Sequence, residues 1–301
     1  MKKFLVILSA AVMMASCCNN NKCCCCCEGA EPGSKEIGIQ LYSVRELIGD
    51  WQASQESVLK ELASYGYTSV EAAGYGNGLF YGVAPEVFKA NVEAAGMKVL
   101  SSHTGKALSE AELASGDFSE SLNWWKEAIP AHVAAGMKYI VTPGFPVPST
   151  LAGLKVYCDY FTAVGKLCAE YGIEYGYHNH SHEMRKVEDK VIYDFMLENT
   201  DPQYVFFEMD VYWAVYGQVS PVNYFNRYPG RFKVLHIKDW KEVGQSGMVG
   251  FDAIFAAAET AGLKDIVVEM EGSSYDDILR TCKESAEYLL RVPFVKASYA
   301  E

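Results

Sequence analysis

The chain has 301 residues, of which 50% are hydrophobic and 21% charged, and its formal net charge at pH 7 is −12. This length and composition are typical of a packed globular protein of one large domain or two small ones. They exclude collagen, coiled coils, disordered chains and multi-span membrane proteins. An acidic chain also lacks the basic surface that binding to a phosphate backbone requires, so we expect no nucleic-acid partner.

The first 35 residues differ from the rest and predict export to the bacterial cell envelope. A positively charged start precedes an apolar run over residues 4–15 and then Ser16-Cys17, an order that is typical of a secretory signal and resembles a bacterial lipobox. We interpret residues 1–16 as a lipoprotein signal peptide, Cys17 as the lipidated residue and residues 17–35 as a flexible Cys-rich tether. We then expect membrane attachment only through this lipid; a plain cleaved signal and an uncleaved anchor are the alternatives.

The cysteines do not indicate a disulfide framework, because seven of the ten fall within residues 17–27. The run at residues 23–27 is a candidate ligand set for soft metals. Five adjacent thiols cannot all face one ion, however, so an incidental low-complexity tether is the favoured interpretation.

Residues 36–301 alternate short β-rich runs with amphipathic stretches, which predicts a single (β/α)₈ TIM barrel. Strands are predicted at residues 37–41, 69–73, 98–103, 139–142, 174–179, 205–210, 232–237 and 265–271. Helices are predicted at residues 51–65, 85–95, 151–171 and 251–261. Glycines expected to end helices are Gly66, Gly96, Gly136, Gly172 and Gly262. An open doubly wound sheet is the alternative, which the lack of a Gly-rich phosphate loop after the first strand disfavours.

Polar side chains of ligand type follow the ends of the predicted strands. Four of the six histidines lie on or just after predicted strands 5 and 7, and carboxylates end strands 6 and 8. These ends meet in a barrel, and a cation is the simple way to hold several buried carboxylates together. A mixed imidazole and carboxylate site suits Mn²⁺, Zn²⁺, Co²⁺ or Fe²⁺. An acid/base relay without metal is the alternative, and Gln40, Glu71 or His103 taken singly more often has a structural role.

Four motifs resemble the sugar phosphate isomerase/epimerase family of xylose isomerase-like TIM barrels, which also include ketose 3-epimerases, inosose dehydratase and endonuclease IV. The motifs are IQLYSVR at residues 39–45, YHNH at 177–180, EMDVYW at 208–213 and LHIKD at 235–239. The resemblance covers residues 36–295 and implies a divalent metal at the ends of strands 5 to 8.

By this resemblance Asp210, His236 and Glu269 match three of the four metal ligands of the family, and His178 stands where relatives carry Glu. Glu183, five residues further on, is the alternative ligand after strand 5. Mn²⁺ or Zn²⁺ is the expected metal, with Co²⁺ or Fe²⁺ next. Ketose epimerases of the family use their first and last glutamates as an acid/base pair, and His178 departs from that pattern.

The resemblance also implies removal of a proton next to the carbonyl of a small sugar substrate, through a metal-stabilised enediolate. His180 or Glu183 is the expected base or acid, and Lys238 the expected proton donor or electrophile. The residues expected to bind the sugar are Gln40, Tyr42, Arg45, Glu71, His103, Trp213 and Glu271. Of these, Tyr42 and Trp213 are expected to form a stacking wall.

The fate of the enediolate decides the reaction. Reprotonation gives an isomerase or epimerase, which is the first hypothesis. Loss of a β-leaving group gives a lyase or dehydratase of the 3-keto-glycoside or inosose type. Export favours this alternative, because phosphorylated sugars are not expected outside the cytoplasm. A non-catalytic carbohydrate-binding lipoprotein is less favoured, a nuclease least, and the oligomeric state stays open.

Overall fold

The computed structural model describes residues 35–300, so the predicted signal peptide, Cys17 and the tether up to residue 34 lie outside the described residues. Eight parallel strands close into one barrel, in which each strand pairs with its neighbours along the chain and the last pairs with the first. The strands are β1 (Gly38–Gln40), β2 (Ser69–Ala72), β3 (Lys98–His103), β4 (Tyr139–Thr142), β5 (Glu174–His178), β6 (Val205–Asp210), β7 (Val234–Ile237) and β8 (Asp265–Val268). The predicted TIM barrel is confirmed, and the doubly wound alternative is wrong.

Helices surround the barrel. They are α1 (Trp51–Ser64), α2 (Pro85–Ala94), α3 (Glu110–Ser115), α4 (Ser119–Ala134), α5 (Leu151–Glu170), α6 (Ile192–Asn199), α7 (Val211–Tyr216), α8 (Pro221–Arg227), α9 (Phe251–Ala256), α10 (Ala258–Ala261) and α11 (Ile278–Arg291). The five glycines predicted to end helices all have positive φ. Within residues 35–300, no helix is both long and apolar enough to span a membrane.

Short elements occupy the loops. Two hairpins pair Tyr75–Gly76 with Leu79–Phe80 and Lys186–Val187 with Lys190–Val191. Two 3₁₀ turns, Leu41–Val44 and His182–Met184, follow β1 and β5. The second of these turns orients the polar residues after β5.

Alternation along the strands divides their side chains between two cores. A small apolar cluster fills the inside of the barrel and consists of Leu100, Tyr139, Val141, Phe206, Val234 and Val267. Phe207, the next residue in β6, lies in the large cluster between the strands and the helices. Because successive side chains point to opposite faces, Glu208 and Asp210 share the inward direction of Phe206.

A bulge in β3 changes this alternation. Val70 pairs with Val99, but the next residue, Glu71, pairs with Ser101, so Leu100 is an extra residue. Leu100 joins the apolar cluster inside the barrel. Ser101 donates a 2.6 Å hydrogen bond from its hydroxyl to Glu71 Oε2. The bulge therefore turns two consecutive side chains toward the interior.

Gly165 fixes how closely α5 approaches the chain that enters β6. A Cβ atom at this position would lie 2.2 Å from the carbonyl oxygen of Tyr204. Because this neighbour is backbone, we expect Gly165→Ala to lower the free energy of unfolding by at least about 2 kcal/mol in urea denaturation. The control Gly49→Ala would place its Cβ 4.0 Å from the nearest atom, so a change below about 0.5 kcal/mol is expected. Equal effects of the two substitutions would contradict this account.

Candidate active site

Four potential metal ligands converge at the C-terminal end of the barrel. His178 ends β5, Asp210 ends β6, His236 lies on β7 and Glu269 follows β8. One ligand atom of each lies within 4.8 Å of the others, and all four side chains are buried. These are the four residues predicted as ligands, at the end of the barrel where TIM-barrel enzymes carry out their chemistry.

The four residues fit a divalent cation. Asp210 Oδ2 and His236 Nδ1 are buried and have no hydrogen-bond partner in the described part of the chain. The other carboxylate oxygen of Asp210 accepts a 2.8 Å hydrogen bond from Trp213 N, and burial raises the pKa of Asp210 to about 7. Unpaired buried polar atoms cost free energy. Two imidazoles and two carboxylates suit Mn²⁺, Zn²⁺, Co²⁺ or Fe²⁺.

Each of the two imidazoles in the group has a carboxylate beside the ring nitrogen that points away from the proposed ion. His178 Nδ1 lies 3.1 Å from Glu208 Oε2, and His236 Nε2 lies 2.7 Å from Glu71 Oε1. Such pairs orient metal-binding histidines and raise the basicity of the ligating nitrogen. His178 Nε2 and His236 Nδ1 therefore remain to bind an ion.

His103 joins the same two carboxylates. Its Nε2 lies 2.8 Å from Glu208 Oε2 and 3.1 Å from Glu71 Oε1. Burial alone lowers the pKa of His103, but the charge of Glu71 and the hydrogen bond with Glu208 outweigh it and raise the pKa to about 10. Glu71 also accepts a 2.8 Å hydrogen bond from Gln40 Nε2. Gln40, Glu71 and His103 thus bond within the protein, and their contact with a sugar stays a prediction.

Lys238, the predicted proton donor, lies beside Glu269. Its Nζ is 3.0 Å from Glu269 Oε2, 2.5 Å from Glu271 Oε1 and 5.3 Å from the centre of the Trp213 ring. Burial lowers the pKa of Lys238, but the attraction of Glu269, Asp210 and Glu271 outweighs burial and raises it overall. Lys238 is therefore an ammonium group.

His180 borders the four-residue group from the loop after β5. Its ring centre lies 5.0 Å from that of His178 and 6.0 Å from that of Trp213. Its Nδ1 is buried and has no hydrogen-bond partner among residues 35–300. Burial lowers the pKa of His180 to about 4, so its imidazole is neutral and can accept a proton.

Glu183 lies outside the four-residue group. Its carboxylate accepts a 2.5 Å hydrogen bond from the Tyr177 hydroxyl and a 2.9 Å hydrogen bond from His180 N. Its nearest potential co-ligands are His180 and His182. The structure thus places Glu183 where it fixes the loop that carries His180, and a catalytic role for it stays a prediction.

Tyr42 and Arg45 lie at the rim of the barrel, after β1. The Arg45 guanidinium stacks 4.2 Å above the Tyr42 ring and donates a 2.9 Å hydrogen bond to Tyr42 O. Arg45 lines a groove of about 480 Å³, whose other side is formed by residues 271–273 and 275–279. Arg45 therefore shares this groove with Glu271, and contact of Tyr42 and Arg45 with a sugar stays a prediction.

Glu208 and Ser101 belong to the buried network, although no role was predicted for either residue. A signal for Glu208 was present, since it shares the inward face of Asp210 two residues further on. No such signal existed for Ser101, because the direction of its side chain depends on the bulge at Leu100.

A family profile described as Xylose isomerase-like TIM barrel matches residues 59–292, and the chain belongs to this family. It is also 36% identical to a sugar phosphate isomerase/epimerase from Parabacteroides distasonis ATCC 8503, whose crystal structure superposes with a TM-score of 0.80. That match covers 87% of this chain and 100% of the other. The predicted membership of the sugar phosphate isomerase/epimerase group is confirmed.

Two more distant relatives extend the comparison. An inosose dehydratase from Geobacillus kaustophilus (strain HTA426) is 24% identical over 199 residues, and the match covers 62% of each protein. The chain thus spans about three fifths of the length of that curated relative. The IOLI protein, solved with a binding zinc atom, has the same fold at 14% identity and a TM-score of 0.62, over 84% of this chain and 95% of that one.

The four-residue group predicts one divalent ion per chain. We expect Asp210→Asn to weaken Mn²⁺ or Zn²⁺ binding by at least about 100-fold, since losing even an outer partner of a ligand costs about 10- to 100-fold. Isothermal titration calorimetry and elemental analysis after dialysis would measure this. The control is Asp265→Asn, at the other end of β8, where Asp265 pairs with Lys138. Equal metal content in the wild type and both variants would contradict the assignment.

Proposed function

We propose that the protein is a metal-dependent enzyme of the sugar isomerase/epimerase type, which removes a proton from the carbon next to a sugar carbonyl. The observation that carries this proposal is the convergence of His178, Asp210, His236 and Glu269 beside His180 and Lys238. The names of the relatives, sugar phosphate isomerase/epimerase and inosose dehydratase, support a carbohydrate substrate.

The metal in this proposal is Mn²⁺ or Zn²⁺, with Co²⁺ or Fe²⁺ as alternatives, held by the four-residue group. A divalent ion at such a site acts as a Lewis acid that polarises the carbonyl and acidifies the neighbouring C–H bond. Asp210 Oδ2 and His236 Nδ1, two of the buried atoms without a hydrogen bond among the described residues, belong to the four-residue group, and His236 Nδ1 lies 3.6 Å from Glu269 Oε2.

The side chains around this group supply the proton transfers. His180 Nδ1, buried and unpartnered among the described residues, accepts the proton from carbon. Lys238 donates a hydrogen bond, and then a proton, on the side of Glu269 and Glu271. Trp213, next to both, supplies a flat apolar wall for the sugar ring.

A lyase or dehydratase is the second candidate, and the asymmetry of the site favours it. An epimerase needs an acid/base group on each face of one carbon, whereas an elimination needs a base at the α-carbon and an acid at the leaving group. Here the β5 position holds His178, which Glu208 binds at Nδ1. In an elimination His180 takes the α-proton, the C–H electron pair becomes a C=C bond, the C–O bond to the leaving group breaks, and its oxygen takes a proton from Lys238.

We also propose that the enzyme acts outside the cytoplasm, anchored through Cys17. The support is the order of charge, apolar run and Ser16-Cys17 at the start of the sequence. Export makes a non-phosphorylated sugar the expected substrate.

Deuterium exchange separates these hypotheses. The Mn²⁺-loaded protein is incubated in D₂O with free ketoses and 3-keto-glycosides, and the products are followed by NMR. Deuterium in a retained sugar indicates an isomerase or epimerase, and release of the leaving group with an unsaturated keto-sugar indicates a lyase. His180→Gln is expected to slow either reaction by at least about 100-fold.

The matched control is His182→Gln, since His182 lies in the same loop but its side chain is 42% exposed. Its rate should stay near that of the wild type. Sugar binding without exchange or elimination would contradict the proposal and leave a carbohydrate-binding protein.

A further inference from the structure

Four aromatic side chains are linked ring to ring between Lys238 and solvent; we refer to them as the aromatic row. Tyr212, the link to Trp240, is buried, so the rings that can face a ligand are those of Trp213, Tyr216 and Trp240. Trp213, 5.3 Å from Lys238 Nζ, is its inner end. The ring centre of Trp213 lies 5.1 Å from that of Tyr212 and 5.5 Å from that of Tyr216. Trp240, 6.4 Å from Tyr212, is the outer end.

The outer part of the row is unusually exposed. Trp240 is 61% exposed and Tyr216 is 55% exposed. Single exposed apolar side chains are common on protein surfaces, but two that belong to one aromatic cluster beside a polar site indicate a binding surface. The row is continuous with the candidate active site, so its occupant is connected to the group that reacts there.

The loop that carries Trp240 is held rigidly. Asp239, which is buried, accepts a 2.8 Å hydrogen bond from Trp240 N and a further one from the Ser246 hydroxyl. Its second oxygen accepts hydrogen bonds from Gly244 N at 3.1 Å and Ser246 N at 3.3 Å. A binding surface that is already rigid loses little conformational entropy when a ligand binds to it.

The charges beside the row disfavour a phosphate. Lys238, the cation in contact with Trp213, is already paired with Glu269 and Glu271. Because one ammonium already faces two carboxylates, a phosphate at this position would be repelled by their excess negative charge. A neutral ring with a flat apolar face meets no such repulsion and stacks on indole and phenol rings.

We propose that the aromatic row is a subsite for a ring joined to the reacting sugar through a glycosidic oxygen, so that the substrate is a neutral glycoside. The inference rests on the proposed function, because the row begins at Lys238, the acid assigned there. A glycosidic oxygen at the inner end of the row lies beside the Lys238 ammonium, and the attached ring extends over Tyr216 and Trp240. An aromatic aglycone and a second sugar share the flat face that this subsite recognises.

Binding to the Mn²⁺-loaded full-length protein tests the subsite. Methyl glycosides, phenyl glycosides and disaccharides of glucose, galactose, mannose and xylose, each in native and 3-keto form, are titrated by calorimetry. For the sugar that binds best, we expect the phenyl glycoside or the disaccharide to bind about tenfold more tightly than the methyl glycoside. The tighter of the two distinguishes an aryl aglycone from a second sugar.

Trp240→Ala is expected to reduce this preference to less than about twofold. Tyr171→Ala, which removes an aromatic side chain of 42% exposure at the opposite end of the barrel, is the control and should keep it. A preference that is absent, or that survives Trp240→Ala, overturns the subsite, as does failure of every glycoside to bind. If Trp240→Ala instead dissociates a dimer in light scattering and leaves the preference unchanged, the row is an interface between copies.

The subsite and the proposed function fail in different ways. Metal-dependent deuterium exchange into free ketoses, without any preference among glycosides, overturns the subsite and leaves the proposed function. A Trp240-dependent preference for glycosides without exchange or elimination overturns the proposed function and leaves a glycoside-binding site.

Discussion

The barrel must hold several carboxylates in a space closed to water, and the rest of the site follows from this constraint. Glu71, Glu208 and Asp210 are fully buried, and Glu269 nearly so. An ion removed from water costs several kcal/mol unless it is paired. The protonated His103 and the Lys238 ammonium offset part of that charge. The oxygen of Asp210 that has no hydrogen bond within residues 35–300 is left for the proposed cation.

Most of the architecture could be predicted because it depends on local patterns. The β6 strand, Val205–Asp210, has the bounds that its run of apolar residues predicts, and Asp210 is its last residue, as predicted. What could not be predicted depends on irregular backbone. The bulge at Leu100 redirects Ser101, and the turn His182–Met184 turns Glu183 toward Tyr177 instead of the metal ligands. Neither leaves a periodic signal in the sequence.

The interior of the candidate site is a hydrogen-bonded network, whereas its rim is formed by residues of the loops. The network of Glu71, His103 and Glu208 holds the imidazoles of His178 and His236 in place by hydrogen bonds inside the barrel. In the proposed mechanism, His180 and Lys238 decide between reprotonation and elimination, and the loops that follow the strands select the substrate.

The central claim is that one divalent ion binds between His178, Asp210, His236 and Glu269. Crystals of the protein loaded with Zn²⁺, with diffraction recorded on both sides of the zinc absorption edge, test it directly. The account predicts a single strong anomalous peak about 2.0–2.2 Å from an atom of each of the four side chains. A peak at His180, His182 and Glu183, or beside Glu208 and His103, would contradict it.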